Sequence, residues 1–502
     1  MTAVTATTAD TFRPALHYAA RNTWLNDPNG LIFHEGVYHL YYQNNPLDNV
    51  WGNMSWGHAT STDLLTWTEH PVAIACNETE DIFSGSIVYD RNNTSGFGTG
   101  STAPLVAIYT SAYKQVSAHH GIQAQSLAYS LDGGYTWTKH TGNPVLNRGS
   151  ADFRDPKVFR YQSDAGSYWV MVAVEAQEFQ VVLYKSHDLK SWELLSSFGP
   201  ANATGGVWEC PDLFPLPVDS DPDNIQWVLT VNLNPGGPNN GSAGQYFIGD
   251  FDGTTFTSAT TVTEGLQDPA RLGDYQWLDW GRDYYAAVSF SDAPDGRRLM
   301  IGWMNNWQYA NEIPTSPWRS PMSLVREVSL QSAAGSWQLV QQAAGDLAPH
   351  AGHSPSFNLA AVEISDGQHI LDGAAGSVQR IDLSVAPGTA EEFGLIVRGN
   401  RTQGTRIGIR PTDSRIVVDR RESGQTDFHE TFASIDTAPI QATNGSYELT
   451  IYVDHCSVEV FAQGGQITLT ELIFPAATNT DVSLYATGGT ATLNNLSVTQ
   501  YA

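Results

Sequence analysis

The sequence predicts an all-β protein, a five-bladed β-propeller followed by a β-sandwich. Three observations carry that expectation. Short strands bounded by Gly, Pro, Asn and Asp recur along the 502 residues, and long helical periodicity is hard to find. A Ser-x-Asp turn leading to Thr/Ser-Trp repeats at Ser61–Trp67, Ser130–Trp137 and Ser186–Trp192, with a degenerate copy at Gly249–Phe256. A second series of acidic motifs runs in phase with the first: Asp27-Pro28, Asp155-Pro156 and Pro211-Asp212 each precede an aromatic strand.

Taken in order, Trp24-Leu25-Asn26-Asp27-Pro28-Asn29-Gly30 reads as a tight turn ahead of the strand Val37–Gln43, because proline sets φ and Asn-Gly favours a turn. The repeat anchors Trp67, Trp137, Trp192 and Phe256 lie 70, 55 and 64 residues apart, room for four short strands and their turns, one propeller blade, in each interval. The strands Tyr168–Val174 and Gln226–Val231 follow the second and third acidic motifs, and Arg298–Trp303 supplies a fifth blade. The propeller is expected over residues 15–335. Corresponding loops of a propeller converge on its axis, so carboxylates far apart in sequence should face one funnel. Composition changes from about Ser332, with Ala-Ala-Gly and His-Ser-Pro punctuation, and a linker is expected over 336–356. The alternating runs Phe393–Arg398, Tyr447–Val453 and Ser457–Phe461 then predict a sandwich over 357–502.

Composition excludes several functions. With 25 basic against 52 acidic residues the net charge is −27, which argues against nucleic acid or an anionic membrane as partner. No run approaches 18 apolar residues, and the first residues lack the basic and apolar regions of an intact signal peptide. Low charge, many uncharged polar residues and few cysteines fit a secreted microbial protein. Cys76, Cys210 and Cys456 are widely spaced, with neither a metal pattern nor a disulfide framework. His119-His120 has no zinc-site spacing, and Asp219–Asn224 departs from a calcium loop at its sixth and twelfth positions, Asn224 and Thr230. No glycine-rich phosphate loop opens a helix. No metal or organic cofactor is called for, and oligomeric state is not legible.

Two carboxylates flanking a scissile bond are the minimum for glycoside hydrolysis. Asp27 is one candidate, with a plain Asx-turn as the alternative. Glu209, in Trp208-Glu209-Cys210-Pro211-Asp212, is the second; desolvation by Val207, Trp208 and Cys210 should raise its pKa, unless it is only an edge-of-strand Glu. Asp155, in Phe153-Arg154-Asp155-Pro156, is the third; the adjacent Arg154 should hold it ionised, and a structural ion pair is the alternative. Asp132 belongs to a Ser-x-Asp turn and reads as structural. Trp24, Trp51, Trp56, Trp208, Trp303 and Trp307 lie near these motifs, where they would line a sugar site or wedge blades together.

These motifs together resemble glycoside hydrolase family 32, the invertase, inulinase and levanase group. The matching blocks are Trp24–Gly30, Trp51–Ala59, Phe83–Ser86, Phe153–Pro156, Trp208–Asp212, Gly302–Tyr309 and Ser457–Phe461, in family order across nearly the whole chain. The resemblance implies a retaining exo-β-fructofuranosidase acting on levan, inulin or sucrose. It implies Asp27 as nucleophile, Glu209 as acid/base and Asp155 as the residue that binds fructose hydroxyls and stabilises the transition state. It also implies Asn26, Gln43, Trp51, Ser84, Arg154 and Trp303 around the fructose. Transfructosylation from sucrose, and fructan binding without turnover, are the alternatives.

Overall fold

The computed structural model describes residues 11–501 apart from 164–165, 260–261, 263–264, 266–267, 334 and 345–355. Four-stranded antiparallel blades succeed one another along the chain. The first comprises Trp24–His34, Val37–Asn45, Ser55–Ser61 and Thr68–Ile74, ordered from the inside outwards. The inner strands of the next four are Glu80–Tyr89, Phe153–Ser163, Val207–Val218 and Tyr285–Ser289. Each inner strand packs beside that of the next blade, and the fifth closes on the first, which makes a ring. The protein is thus a five-bladed β-propeller, and the fourth and fifth blades also touch through one bridge, Val218 to Leu330.

The repeated turns join the third and fourth strands of their blades. Ser61, Ser130 and Ser186 donate to Asp63, Asp132 and Asp188 at 3.0, 2.7 and 3.1 Å. Each aspartate then accepts two backbone N–H groups just ahead of the outer strand. Asp252 does the same with Thr254 and Thr255 in the fourth blade. Asp132 therefore has the structural task its sequence suggested.

Two features differ from the sequence reading. Asp27-Pro28-Asn29-Gly30 is not a turn before a strand; it lies within the inner strand Trp24–His34. Proline is accommodated because an inner strand is a sheet edge, where its missing N–H costs no ladder bond. The same holds for Pro156, and for Pro211, whose strand meets the fifth blade only at Val218. Second, residues 336–343, expected to open the linker, form a strand that completes the fifth blade by pairing with Arg326–Ala333. Most of the rest of that expected linker, 345–355, lies outside the described residues.

The second unit is a β-sandwich of two six-stranded sheets. One carries Gln379–Ala386, Tyr447–Val453 and Ser457–Ala462, the other Glu392–Gly399, Thr405–Arg410 and Arg415–Asp419. Buried Ile381, Ile451, Leu395 and Ile407 belong to the apolar core of this unit.

Buried ion pairs fasten the sandwich to the propeller. Arg326 of the fifth blade bonds Asp279 at 2.9 Å and the sandwich residue Glu459 at 2.6 Å. Sandwich Arg420 bonds Asp283 at 2.6 Å, and Arg282 bonds Asp436 at 2.8 Å. His17 bridges Asp454 (2.7 Å) and Glu459 (2.9 Å) with its side chain fully buried. Burial alone would lower its pKa, but the bonds and charges of the two carboxylates raise it to about 9. Because the folded pKa exceeds the unfolded one, this stabilisation is complete below about pH 6.5 and is lost as pH rises through 9. The melting temperature is expected to fall across that window, and His17→Gln should flatten the fall, as thermal melts at pH 6, 8 and 10 will show.

Candidate active site

At one mouth of the propeller axis lies a cavity of about 370 Å³, lined by Asn26, Asp27, Gln43, Trp51, Ser84, Arg154, Asp155 and Glu209. One backbone device recurs in all five blades, and in the first three it delivers Asn26, Asp27, Ser84 and Asp155 to the cavity. Every inner strand carries a β-bulge near this mouth. Asn26 and Asp27 oppose the single Gln43, and Ser84 is the extra residue between Phe83 and Gly85. Asp155-Pro156 oppose Ala173, Cys210-Pro211 oppose Val231, and Ala286-Ala287 oppose Gly302. Each bulge interrupts the alternation of the strand, and those of the first three blades bring Asp27, Ser84 and Asp155 into the cavity. Three bulged residues have left-handed backbone, Asp155 (φ 62°), Cys210 (φ 45°) and Ala286 (φ 54°), a conformation rare outside glycine that costs about 1–3 kcal/mol each and clusters at functional sites. At Gly85 no side chain is possible, since a Cβ would come within 2.1 Å of the Ile108 carbonyl oxygen.

The three carboxylates are held differently. Asp27 accepts from Ser84 Oγ at 2.7 Å and from Asn26 Nδ2 at 3.0 Å, and Asn26 is itself fixed by Trp24 Nε1 at 2.7 Å. Burial, followed by the charge of Glu209, raises the Asp27 pKa above the usual carboxylate value. Glu209 accepts from Arg154 through Oε1 at 3.1 and 3.2 Å, while Tyr285 donates its hydroxyl to Oε2. Asp155 accepts the Cys210 N–H at 2.9 Å. The Cys210 sulfur sits 3.6 Å from Asp27 and 3.7 Å from Asp155, between the two.

One electrostatic expectation is corrected, and the enclosure expected around Glu209 is only partial. Arg154 does not hold Asp155 ionised: its guanidinium is spent on Glu209 and stays 3.9 Å from Asp155. Burial dominates at Asp155, the opposing pull of Arg154 falls short, and Glu209 and Asp27 add to the rise, so its pKa is pushed up to about 7. Around Glu209, Trp208 turns into the core to bond the Ala203 carbonyl and Cys210 faces the two aspartates. The carboxyl itself is 22% exposed, so its sequence neighbours do not enclose it.

Of the residues singled out from sequence, Asp27, Asp155, Glu209, Asn26, Gln43, Trp51, Ser84 and Arg154 meet in this cavity. Trp303 does not. It is fully buried and packs behind the site against Trp24, Tyr285 and Trp307. Trp307 takes the wall position instead, with Phe83 and Gln123. Phe83 and Trp307 lay inside motif blocks, but nothing local marks Gln123 or Tyr285. Four of the six tryptophans (Trp24, Trp56, Trp208 and Trp303) are wedges with no exposure.

Chemically, the cavity offers one carboxylate with its charge oriented by a hydroxyl and an amide, one bonded to a cation and a phenol, and one buried acid. A raised Asp155 pKa also has a cost in stability. The folded state holds this proton more tightly than the unfolded state, so stability falls as pH rises from about 4 to about 7. Asp155→Asn keeps an acceptor for the Cys210 N–H and removes that charge. It is expected to raise the melting temperature at pH 8, by roughly 2 °C or more, and to leave it nearly unchanged at pH 4.

Comparison with known proteins places the chain among carbohydrate-active relatives. The model of the glycosyl hydrolases family 32 N-terminal domain matches residues 17–343, and that of the family 32 C-terminal domain matches 352–500. A levanase of Bacillus subtilis (strain 168) is 44% identical over 495 residues, spanning 97% of this chain and 70% of that one. The extracellular exo-inulinase of Aspergillus awamori is 42% identical over 506 residues, spanning 95% and 92%. The crystal structure of the exo-inulinase from that organism superposes with a TM-score of 0.92 at 40% identity over 98% of both chains. The β-fructofuranosidase of Schwanniomyces occidentalis, solved with fructosyl-erythritol, has a TM-score of 0.86 at 30% identity over 99% of both.

Proposed function

The chain belongs to glycoside hydrolase family 32, and from that premise we propose that it releases terminal β-D-fructosyl units from fructans and sucrose with retention of configuration. The observation that carries this reading is the convergence of Asp27, Asp155 and Glu209 with Arg154 in one cavity, Asp27 and Asp155 on inner-strand bulges and Glu209 and Arg154 directly beside one.

Asp27 is the nucleophile. Its carboxylate, oriented by Ser84 and Asn26, attacks the anomeric carbon while the glycosidic C–O bond breaks. Glu209 gives its proton to the departing oxygen, and Arg154 and Tyr285 stabilise the carboxylate that remains. In the second half Glu209 takes a proton from water, whose oxygen displaces Asp27 from the same carbon. Asp155 binds fructose hydroxyls; with its pKa near 7 it carries a proton in mildly acidic solution and then donates as well as accepts. Asn26, Gln43 and Ser84 complete the polar wall, and Trp51 and Trp307 offer ring faces to the sugar.

Below this cavity the propeller axis narrows to a void of about 10 Å³, so the site is a blind pocket that admits a chain end. This supports exo-action. We place the catalytic unit over residues 15–335 with its last strand running to 343, and the sandwich over 357–502 as a stabilising partner. The relatives named extracellular, and the polymeric substrates, favour action outside the cell; among the described residues no helix is long and apolar enough to cross a membrane.

Timed chromatography of products from sucrose, inulin and levan tests the proposal. Free fructose is the expected sole early product from the polymers. Early oligosaccharides from them would contradict exo-action, and products longer than sucrose at high sucrose would mark transfer over hydrolysis.

A further inference from the structure

The opposite mouth of the propeller axis holds a second cavity, about 390 Å³, that the fructosidase chemistry does not use. It is reached further along the same inner strands: past Asp155 come Lys157 and Arg160, past Glu209 come Asp212 and Phe214. The narrow void of the axis separates it from the active-site cavity.

Its charge balance is opposite to that of the chain. Four cations line it, Arg91, Lys157, Arg160 and Arg298, in a protein of net charge −27. Of its three aspartates, Asp90 is saturated by Thr94 N, Thr94 Oγ1 and Ser95 N at 2.7–3.0 Å. Asp212 accepts from Leu213 N, Ser289 N and Ser289 Oγ at 2.7–2.8 Å and lies 3.6 Å from Lys157. Asp292 is paired with Arg91 at 3.6 Å. Arg298 and Arg160 are left with no carboxylate at ion-pairing distance among the described residues. Arg298 donates to Ser289 Oγ at 3.3 Å and stacks on Phe214 with its guanidinium 4.9 Å from the ring centre. Arg160 lies over Trp169 at 4.8 Å, and its Nη1 is buried with no partner. The carboxylates that act on them, Asp212 on Arg298 and Asp90 on Arg160, are already taken up by hydrogen bonds, so an added anion would meet partly buried cations that no ion pair satisfies.

We propose that this lower mouth is a binding site for a small organic anion, whose oxyanion is taken by Arg298 and Arg160 and whose apolar body lies against the aromatic walls. The volume is that of a small-molecule pocket rather than of an inorganic ion, and the walls are aromatic beside the cations, which suits a carboxylate on a flat ring.

Calorimetry on the full-length protein with benzoate, its neutral counterpart benzyl alcohol and inorganic phosphate tests this. Benzoate is expected to bind saturably, phosphate more weakly, and benzyl alcohol not at all. Arg298→Gln should weaken benzoate roughly tenfold or more, Arg298→Lys should keep most of the affinity, and both should hydrolyse sucrose at the unchanged rate. Should Arg298→Gln fail to fold, Arg160→Gln carries the same expectation. Absence of saturable benzoate binding, wild-type affinity in the charge-removing variant, or phosphate binding better than benzoate would overturn the proposal. So would competitive inhibition of turnover by benzoate, since that would place it beside Arg154 in the upper cavity.

Discussion

Replacing Asp27 by Asn is expected to lower turnover of sucrose, inulin and levan by about 10⁴-fold or more and to abolish formation of a fructosyl-enzyme. The amide can still accept from Ser84 Oγ, so the cavity keeps its shape. It cannot supply the electron pair that displaces the leaving oxygen. Loss of fold is separable from loss of chemistry here. The Asp27 pKa is raised by burial and by Glu209, so removing its charge relieves a cost, and the melting temperature at pH 7 should hold or rise. An inactive variant with a lowered melting temperature would point to a structural carboxylate instead.

Glu209→Gln is the second large effect, with a different signature. Natural fructosides leave as poor alkoxides and need the proton, so their turnover should fall by about 10³-fold. A donor with a good leaving group needs little protonation, and its first half-reaction should survive. Water attack then lacks its base, so the fructosyl-enzyme accumulates and a small anionic nucleophile such as azide should restore turnover. Equal loss on both donor types, with no rescue, would remove Glu209 from the acid/base role. The acid limb of the wild-type pH profile should also reflect three interacting carboxylates facing one guanidinium, and report apparent values of the set rather than of one residue.

The fold was readable because its repeat is chemical as well as geometric. A Ser-x-Asp turn ahead of a Trp leaves a local imprint, and three such turns and a degenerate fourth ahead of Phe256 sit at equivalent places in four blades. The fifth blade lacks that imprint, and its closing strand Ser336–Ala343 is polar enough to be mistaken for linker. The acidic residues were readable for the same reason, each standing within two residues of a proline on an inner strand. What stayed hidden depends on register across strands. No window of sequence says that Asp27, Ser84, Asp155, Cys210 and Ala286 all occupy bulges, because a bulge is a mismatch between two strands.

Side-chain direction was hidden likewise. Trp303 and Trp307 share one motif, but only Trp307 reaches the cavity. Arg154 precedes Asp155 in sequence yet reaches to Glu209 on the inner strand of the next blade, 55 residues on, so the nearest charge in the chain was not the nearest in space. Tyr285 arrives from another blade with no signature.

The most direct test of the account is to trap the intermediate. Glu209→Gln is incubated with a fructosyl donor bearing a good leaving group, quenched in acid, digested and mapped by mass spectrometry. The account predicts one added fructosyl unit on the peptide containing Asp27, absent when Asp27→Asn is combined with Glu209→Gln. A fructosyl group on Asp155, or continued turnover with no label anywhere, would contradict it.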